Sequence, residues 1–265
     1  MDRRDFLAVV CLLPAGAALA APAAPAPAGL SLPAAINKAG RQRMLSQRTA
    51  KAWLMLVQGV LPEKAKSILA QSLHLFDQQL AELKALPAGD EVRSAWLQVE
   101  QEWGRYRPLL ADIRSDAKAV WAGNEALLGA TQKLTLAYEK AAGTSAGRLV
   151  NLAGRQRMLS QRMAKAYFFR QMGVNAGPAG EMLDAAVKEF AKAQEELKAA
   201  AQNTAQIKTE LGLVEQQWFF FQNALSLHEA ADRKKASTDV ATTSERILEQ
   251  MDAVVGLYEK LAREG

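Results

Sequence analysis

Residues 39–48 read Ala-Gly-Arg-Gln-Arg-Met-Leu-Ser-Gln-Arg, and residues 153–162 repeat the same ten letters 114 positions later. An identity of this length within one chain indicates an internal duplication. Matching blocks continue outward, and Tyr-Glu-Lys occurs at residues 138–140 and again at residues 258–260, where the offset has grown to 120. The chain therefore contains two copies of a unit of about 115 residues, which is a common domain size.

The segments between the matched blocks favour helix, because they are rich in Ala, Leu, Gln, Glu and Lys. The apolar residues of one segment recur at spacings of three and four, as expected for a helix with one face on a core: Leu69, Leu73, Phe76, Leu80 and Leu83. The sequence predicts an all-α fold of two tandem up-and-down four-helix bundles. The first bundle has helices near 33–59, 63–86, 90–115 and 118–142, and the second near 145–173, 179–201, 204–231 and 234–263.

The chain divides into four predicted segments. These are a Tat-like signal peptide at 1–20, an Ala/Pro spacer at 21–29, a first bundle at 30–142 and a second bundle at 143–265. Two structures are compatible with the join between the bundles. Gly143 could end the fourth helix with Thr144 or Ser145 opening the fifth, or the two helices could continue as one rod. The aromatic residues expected in or near the cores are Trp96, Trp103, Tyr138, Trp218 and Tyr258.

The N-terminus has the features of an export signal. Arg3 and Arg4 precede an apolar run that is too short to span a bilayer, which needs about 20 residues. Small residues around Ala20 predict cleavage after that position. The twin arginine favours a Tat signal over an ordinary Sec signal, and the mature protein is expected in the periplasm. Cys11 is the only cysteine and lies in this segment, so no disulfide is expected in the mature chain.

The repeated motif has no single polar face. On a helix with 100° per residue, Gly40, Arg43 and Gln47 fall within about 40° of Ile36, in a mostly apolar stripe. A guanidinium in an apolar groove needs an anion or several acceptors, because an unpaired buried charge is unfavourable. The planar donors of arginine suit planar oxyanions, and a nearby glycine lets a ligand or backbone approach closely.

Structural roles are the alternative for every cation of the motif. The outer arginines are expected to be solvated or paired with glutamates of a neighbouring helix: Arg41, Arg48, Arg155 and Arg162. Lys51 and Lys165 are expected at the surface, with their apolar stems along the helix. For Arg43 and Arg157 the alternative is a buried ion pair. The candidate partners are Glu100, Glu102, Glu139, Glu215 and Glu259.

The pattern Asn-x-Ala-Gly-x-x-Arg-Met-x-Ser-x-Arg at residues 37–48 and 151–162 resembles the P-box of periplasmic nitrate/nitrite sensor kinases. It also resembles the N-terminal sensor domain of type IV pili methyl-accepting chemotaxis transducers (PilJ-type). The Arg-Gln pair after the glycine is closer to the PilJ-type motif. In the nitrate sensors, nitrate is held between the two P-box helices of a homodimer, and the arginine before methionine is its main contact.

This resemblance implies a ligand-contact role for Arg43 and Arg157, with Gly40 and Gly154 beside them. Because one chain carries both motifs, it could build the two-fold site within one molecule. The residues expected to bind ligand are Gly40, Arg43, Gln47, Gly154, Arg157 and Gln161.

Other chemistry finds little support in the sequence. His74 and His228 are single and are expected at the surface, so no metal site is predicted. The sequence lacks a Gly-rich phosphate loop and a G-x-S-x-G motif, and neither an enzyme nor a cofactor is expected. A net charge of +5 without a concentrated basic patch does not indicate nucleic-acid binding.

Two functional hypotheses remain open. The first is an exported periplasmic sensor module that binds a small anion, such as nitrate or nitrite, and passes the signal to a protein partner. The second is a non-catalytic helical interaction protein that docks on a periplasmic receptor or a pilus-associated component. A homo-oligomer would be compatible with either hypothesis.

Overall fold

The computed structural model describes residues 30–86, 88–226 and 233–264. Over these ranges the chain is helical without strands, as predicted, and forms two four-helix bundles in tandem. The first bundle consists of α1 (Leu32–Val57), α2 (Pro62–Lys84), α3 (Gly89–Tyr106) and α4 (Ala117–Ala142). The second consists of α5 (Ser145–Met172), α6 (Ala176–Ala199), α7 (Ala205–Ser226) and α8 (Arg233–Glu264).

Several predictions fall on residues outside these ranges. The signal peptide, the spacer, Cys11 and His228 all lie there. Over the described ranges, no helix combines the length and the apolar character that a membrane span requires.

Local capping decides the join between the two bundles. Gly143 has a left-handed backbone with φ of 62°, and its N–H donates to the carbonyl of Glu139, which ends α4. The Thr144 hydroxyl then accepts from the N–H of Gly147 at 3.0 Å and begins α5. The first of the two predicted alternatives is therefore confirmed, because a left-handed glycine followed by an N-cap breaks the rod.

The third helix is shorter than the sequence indicates. It was expected to reach residue 115, but α3 ends at Tyr106 and a single 3-10 turn follows at Arg107–Leu110. Pro108 lies in the first turn of this short helix, and a proline inside an α-helix would remove a backbone donor and clash with the preceding turn. The Asp116 carboxylate caps α4 by accepting from the N–H of Lys118 at 3.1 Å.

Aromatic side chains fill the core of each bundle at matching places. The rings of Phe76 and Trp103 stack at 3.9 Å between centroids, and those of Phe190 and Trp218 stack at 4.4 Å. Trp96 donates its indole N–H to the carbonyl of Leu80 at 2.9 Å, so its polar atom is satisfied inside the core. The prediction of core positions is confirmed for Trp96, Trp103, Tyr138, Trp218 and Tyr258.

The two repeated helices pack against each other at the centre of the molecule. Helix α1 contacts α2 and α4 of its own bundle and also α5 and α8 of the other. Eighteen of its 26 residues are buried, as are 18 of the 28 residues of α5. A helix buried on most sides is an internal element. The motif helices therefore form the shared centre of both bundles.

This arrangement predicts that both bundles unfold together. Phe76→Ala and Phe190→Ala each remove a buried, stacked ring, and we expect each to lower the free energy of unfolding by about 3–5 kcal/mol. Because α1 and α5 share one interior, chemical denaturation should show one transition that moves in both variants. Two transitions, each shifted by only one of the substitutions, would contradict this expectation.

Candidate functional site

The two inner arginines of the motif meet across the contact between α1 and α5. Both side chains are fully buried. Arg43 Nη2 donates to Oδ1 of Asn151 at 2.6 Å and to its backbone carbonyl at 3.3 Å. Arg157 Nη2 donates to Oδ1 of Asn37 at 2.8 Å and to its backbone carbonyl at 3.2 Å. Each arginine is thus held by an asparagine of the other repeat.

The glycines of the motif lie beside both guanidinium groups. A β-carbon on Gly40 would lie 3.2 Å from Nη2 of Arg43 and 3.8 Å from Nη2 of Arg157. A β-carbon on Gly154 would lie 3.3 Å from Arg157 Nη2 and 3.7 Å from Arg43 Nη2. The two arginine side chains therefore converge, and glycine at these positions leaves the space that their Nη2 atoms approach.

Two glutamates support the asparagines rather than the arginines. The amide of Asn151 donates to Glu139, and the amide of Asn37 donates to Oε2 of Glu259 at 2.5 Å. Glu139 and Glu259 were candidate partners for direct ion pairs with the arginines, and neither makes one. The alternative of a buried ion pair is confirmed for Arg157, but its partner is Asp252. The asparagine lies between the charges because its carbonyl oxygen accepts from arginine while its amino group donates to the carboxylate.

The Nη1 atoms contact two residues that the sequence analysis did not single out. Arg43 Nη1 donates to Oε1 of Gln132 at 2.7 Å, and Arg157 Nη1 donates to Oδ1 of Asp252. Gln132 and Asp252 occupy matching positions, because α4 and α8 align at an offset of 120. No motif indicated them, since the two residues differ. Among the described residues, Nε of neither arginine has a hydrogen-bond acceptor.

The electrostatics of the two arginines reflect these partners. Burial lowers the pKa of Arg43 to about 9, and the nearby charges of Arg155 and Arg157 act in the same direction. Burial also lowers the pKa of Arg157, but there the carboxylate of Asp252 opposes the shift. With a pKa of about 9, Arg43 remains protonated at neutral pH. In the described part of the chain, Arg43 is thus a buried cation whose hydrogen-bond partners are all neutral.

The two glutamines of the predicted site lie one turn further along their helices. Gln47 is fully buried and donates to Oδ1 of Asn124 at 3.0 Å, and Gln161 donates to the carbonyl of Ser244 at 2.8 Å. Both contacts stay within one bundle. The structure therefore brings four of the six predicted residues to one point, namely Gly40, Arg43, Gly154 and Arg157, while the glutamines face the bundle interiors.

The outer arginines all pair with acids on other helices. Ion pairs join Arg41 to Asp252, Arg48 to Glu245, Arg155 to Glu189 and Arg162 to Glu125. Pairing with glutamate was one of the two expectations, and it is confirmed for three of these arginines, whereas Arg41 pairs with an aspartate. Three of the four pairs connect different repeats, so the motif charges contribute to joining the bundles.

The prediction that Lys51 and Lys165 lie at the surface is wrong, because both are fully buried. Lys51 Nζ lies 2.5 Å from Oε1 of Glu245, and Lys165 Nζ lies 2.5 Å from Oε1 of Glu125. The lysine comes from one repeat and the glutamate from the other in both pairs. A single helix pattern could not show this burial, since the partner that covers each lysine belongs to the distant repeat.

Burial by itself would raise the pKa of Glu245, but Lys51 and Arg48 outweigh it and lower this pKa to about 2. Burial lowers the pKa of Lys51 to about 8 against the opposing effect of the glutamate. The pair is therefore charged at neutral pH, and each charge depends on the other. Across the described ranges, no group of three or more His, Cys, Asp or Glu side chains is placed to hold a metal ion.

Comparison with known proteins identifies the class of domain. The family model described as "Type IV pili methyl-accepting chemotaxis transducer N-term" (PilJ) matches residues 30–128 and again residues 141–238. The chain belongs to this family and contains two copies of its domain.

The chain is also similar to the methyl-accepting chemotaxis protein McpN of Pseudomonas aeruginosa, with 35% identity over 96 residues. That match covers 33% of this chain and 18% of McpN, so the chain spans less than a fifth of the relative's length. No solved structure is significantly similar to the chain.

The buried ion pair makes a prediction about acid stability. The Glu245 carboxylate stabilises the fold fully above pH 4.5, its ordinary pKa, and this contribution is lost as the pH falls towards 2. Its size is on the order of 3 kcal/mol. We expect Glu245→Gln to destabilise the protein by about 3 kcal/mol at pH 7 and to flatten the stability profile below pH 4.5.

Denaturant unfolding between pH 2 and pH 7 provides the measurement. Glu249→Gln is the matched control, because Glu249 is exposed one turn later on the same helix. Equal acid profiles for the two variants would show that the Lys51–Glu245 pair contributes no net stability.

Proposed function

We propose that the chain is an exported periplasmic sensor module in which Arg43 and Arg157 together bind a small planar oxyanion, such as nitrate or nitrite. The observation that carries this proposal is the convergence of two fully buried guanidinium groups beside Gly40 and Gly154. Because the Nη2 atoms of both arginines lie beside the same glycines, their two positive charges repel each other inside the protein, where water screens them little. A monovalent anion between them would attract both.

The donor pattern supports a planar oxyanion. The Nη2 atoms of both arginines approach the same two glycines, so an oxyanion placed there would contact both guanidinium groups by displacing the asparagine oxygens that accept from them. Nitrate and nitrite present several oxygens in one plane, and arginine binds such groups through parallel N–H donors. The resemblance of the motif to the P-box of nitrate sensors, which rests on the sequence pattern alone, implies the same ligand class and the same two arginines.

A sensory role is also supported by the relatives. The family is that of chemotaxis transducer N-terminal domains, and McpN is a chemotaxis protein. We infer that the domains at 30–142 and 143–265 bind the ligand and that the response passes to a protein partner. We further propose export through the Tat-like segment at 1–20, with cleavage after about Ala20. Gln47 and Gln161 would orient the motif helices from within each bundle.

An interaction protein is the second candidate function, and an exposed aromatic pair favours it. Phe219 and Phe220 on α7 are 62% and 57% exposed. Large exposed aromatic side chains are typical of protein contact surfaces. In this alternative the buried motif only joins the two bundles, and α7 contacts a periplasmic receptor or a pilus-associated component.

Thermal unfolding with different anions tests the proposal. We expect residues 21–265 to be stabilised by nitrate or nitrite but not by chloride or sulfate at matched ionic strength. A ligand at 100 times its dissociation constant adds about 2.7 kcal/mol, which shifts the midpoint by several degrees. Arg43→Lys retains the charge but loses the planar fork, and it should remove most of the shift.

Arg114→Ala is the control for this substitution, because Arg114 is exposed and pairs with nearby Asp112. It should keep the full nitrate response. Identical midpoints in all four salts for the unaltered protein would argue against anion binding and would leave the interaction protein as the better interpretation.

The glycines allow an independent test of the same site. Gly40→Ala and Gly154→Ala place a methyl group about 3.2–3.3 Å from an arginine Nη2 atom, so the guanidinium must shift. We expect both variants to fold and to lose the nitrate response. Gly129→Ala is the matched control, since no atom lies within 4 Å of its new β-carbon. It should gain up to about 1 kcal/mol from helix propensity and respond to nitrate normally.

A further inference from the structure

The two halves of the arginine site differ at the acceptor of Nη1 and at the acid that pairs with the outer arginine, which is Asp252 for Arg41 and Glu189 for Arg155. The asparagine that accepts from each Nη2 and the glutamate behind it are the same in both halves. The acceptor for Nη1 is the neutral amide of Gln132 on one side and the carboxylate of Asp252 on the other. The hydrogen bond of Nη1 therefore goes to a neutral acceptor on the Arg43 side and to a charged acceptor on the Arg157 side.

Each of these acceptors lies between arginines of both repeats. Gln132 Oε1 accepts from Arg43 Nη1 at 2.7 Å and from Arg155 Nη1 at 3.4 Å. Asp252 Oδ1 accepts from Arg157 Nη1 and from Arg41 Nη2 at 3.1 Å. The two residues thus occupy the same structural position, and the difference between them is the presence of a negative charge.

That charge acts directly on one of the two guanidinium groups. Asp252 is 38% exposed, whereas the Arg157 side chain that it contacts is fully buried, so water screens the pair only in part. Burial acts to raise the pKa of Asp252, but Arg157 and Arg41 outweigh it and lower the pKa below its ordinary value. Asp252 is therefore ionised at neutral pH. It neutralises part of the field that an incoming anion would experience, and it repels that anion as well.

We propose that Asp252 is a built-in competitor for the anion, which weakens the Arg157 half of the site and leaves Arg43 as the stronger contact. This inference rests on the proposed function. Under this proposal Gln132 and Asp252 set the affinity of the site for the anion. They also determine which of the two arginines contributes more to that affinity. The amide oxygen of Gln132 accepts a hydrogen bond from Arg43 without neutralising the charge of that guanidinium, so it does not oppose anion binding.

Exchange of the two acceptors tests this inference. The probe is nitrate, titrated calorimetrically at fixed ionic strength with chloride as the reference salt. Asp252→Asn removes the charge at constant size, and Asp252→Gln installs the residue that already serves in the other half. We expect both to tighten nitrate binding by about tenfold, which corresponds to 1.4 kcal/mol. Gln132→Asp should weaken binding by a similar factor.

The double exchange, Gln132→Asp with Asp252→Gln, keeps the composition and reverses the asymmetry. We expect its nitrate affinity to return to within about threefold of the unaltered protein, as for two opposing substitutions that offset each other. In the unaltered protein Arg43→Lys should reduce affinity more than Arg157→Lys does. In the exchanged protein this order should reverse. If Asp252 had only a structural role, the exchange would not change which arginine substitution causes the larger loss of nitrate affinity.

The outcomes separate this inference from the proposed function. If nitrate binds with the same affinity to every acceptor variant, or if Arg43 stays dominant after the exchange, the competitor role of Asp252 is overturned while anion binding stands. If nitrate binds to none of the folded variants, including Asp252→Asn, both proposals are wrong. Thermal midpoints without nitrate show that each variant is folded before it is titrated.

Discussion

The burial of two arginines at one helix contact is the constraint on which the structure depends. Arg43 and Arg157 are removed from water where α1 meets α5, and neither bundle provides all the acceptors that its own arginine requires. The asparagine that accepts from each Nη2 belongs to the other repeat. Because an unsatisfied buried charge is strongly unfavourable, the two repeats complete each other and behave as parts of one interior.

The same reciprocity extends along the interface. Lys51 and Lys165 each cross to a glutamate of the other repeat, and those glutamates also receive Arg48 and Arg162. The motif helices thus carry a row of buried charged and polar groups, whereas the stacked aromatic pairs lie between the outer helices of each bundle. The arginine–asparagine hydrogen bonds set the register of α1 against α5. The ion pairs set the register of α1 against α8 and of α5 against α4.

A tandem chain has a freedom that a symmetric dimer lacks. In a homodimer a residue on one side of the two-fold axis necessarily appears on the other side. Here the two copies have diverged, and the acceptor pair has become Gln132 and Asp252 without disturbing the matching asparagines and glutamates. Divergence within a duplicated site allows the two arginines to take unequal roles while the shared fold is retained.

Much of the architecture follows from local pattern. The repeat, the helical periodicity of residues such as Leu69 and Phe76, and the capping residues around Gly143 are short-range features. Such features can be recognised in the sequence because helix propensity, capping and amphipathic spacing depend on residues within a few helical turns. The end of α3 was misplaced, since the helix stops before Pro108 although its composition continues to favour helix.

The identity of the two motifs also singled out Gly40, Arg43, Gly154 and Arg157 as a candidate site. The sequence alone thus determined the duplication, the helical class and the residue types available at the centre. The three-dimensional packing was needed to show that Lys51 is buried, that Asn151 lies between Arg43 and Glu139, and that Gln132 and Asp252 accept from the two inner arginines. These are contacts between residues far apart in the chain, and the energy of a buried charge depends on which distant groups surround it.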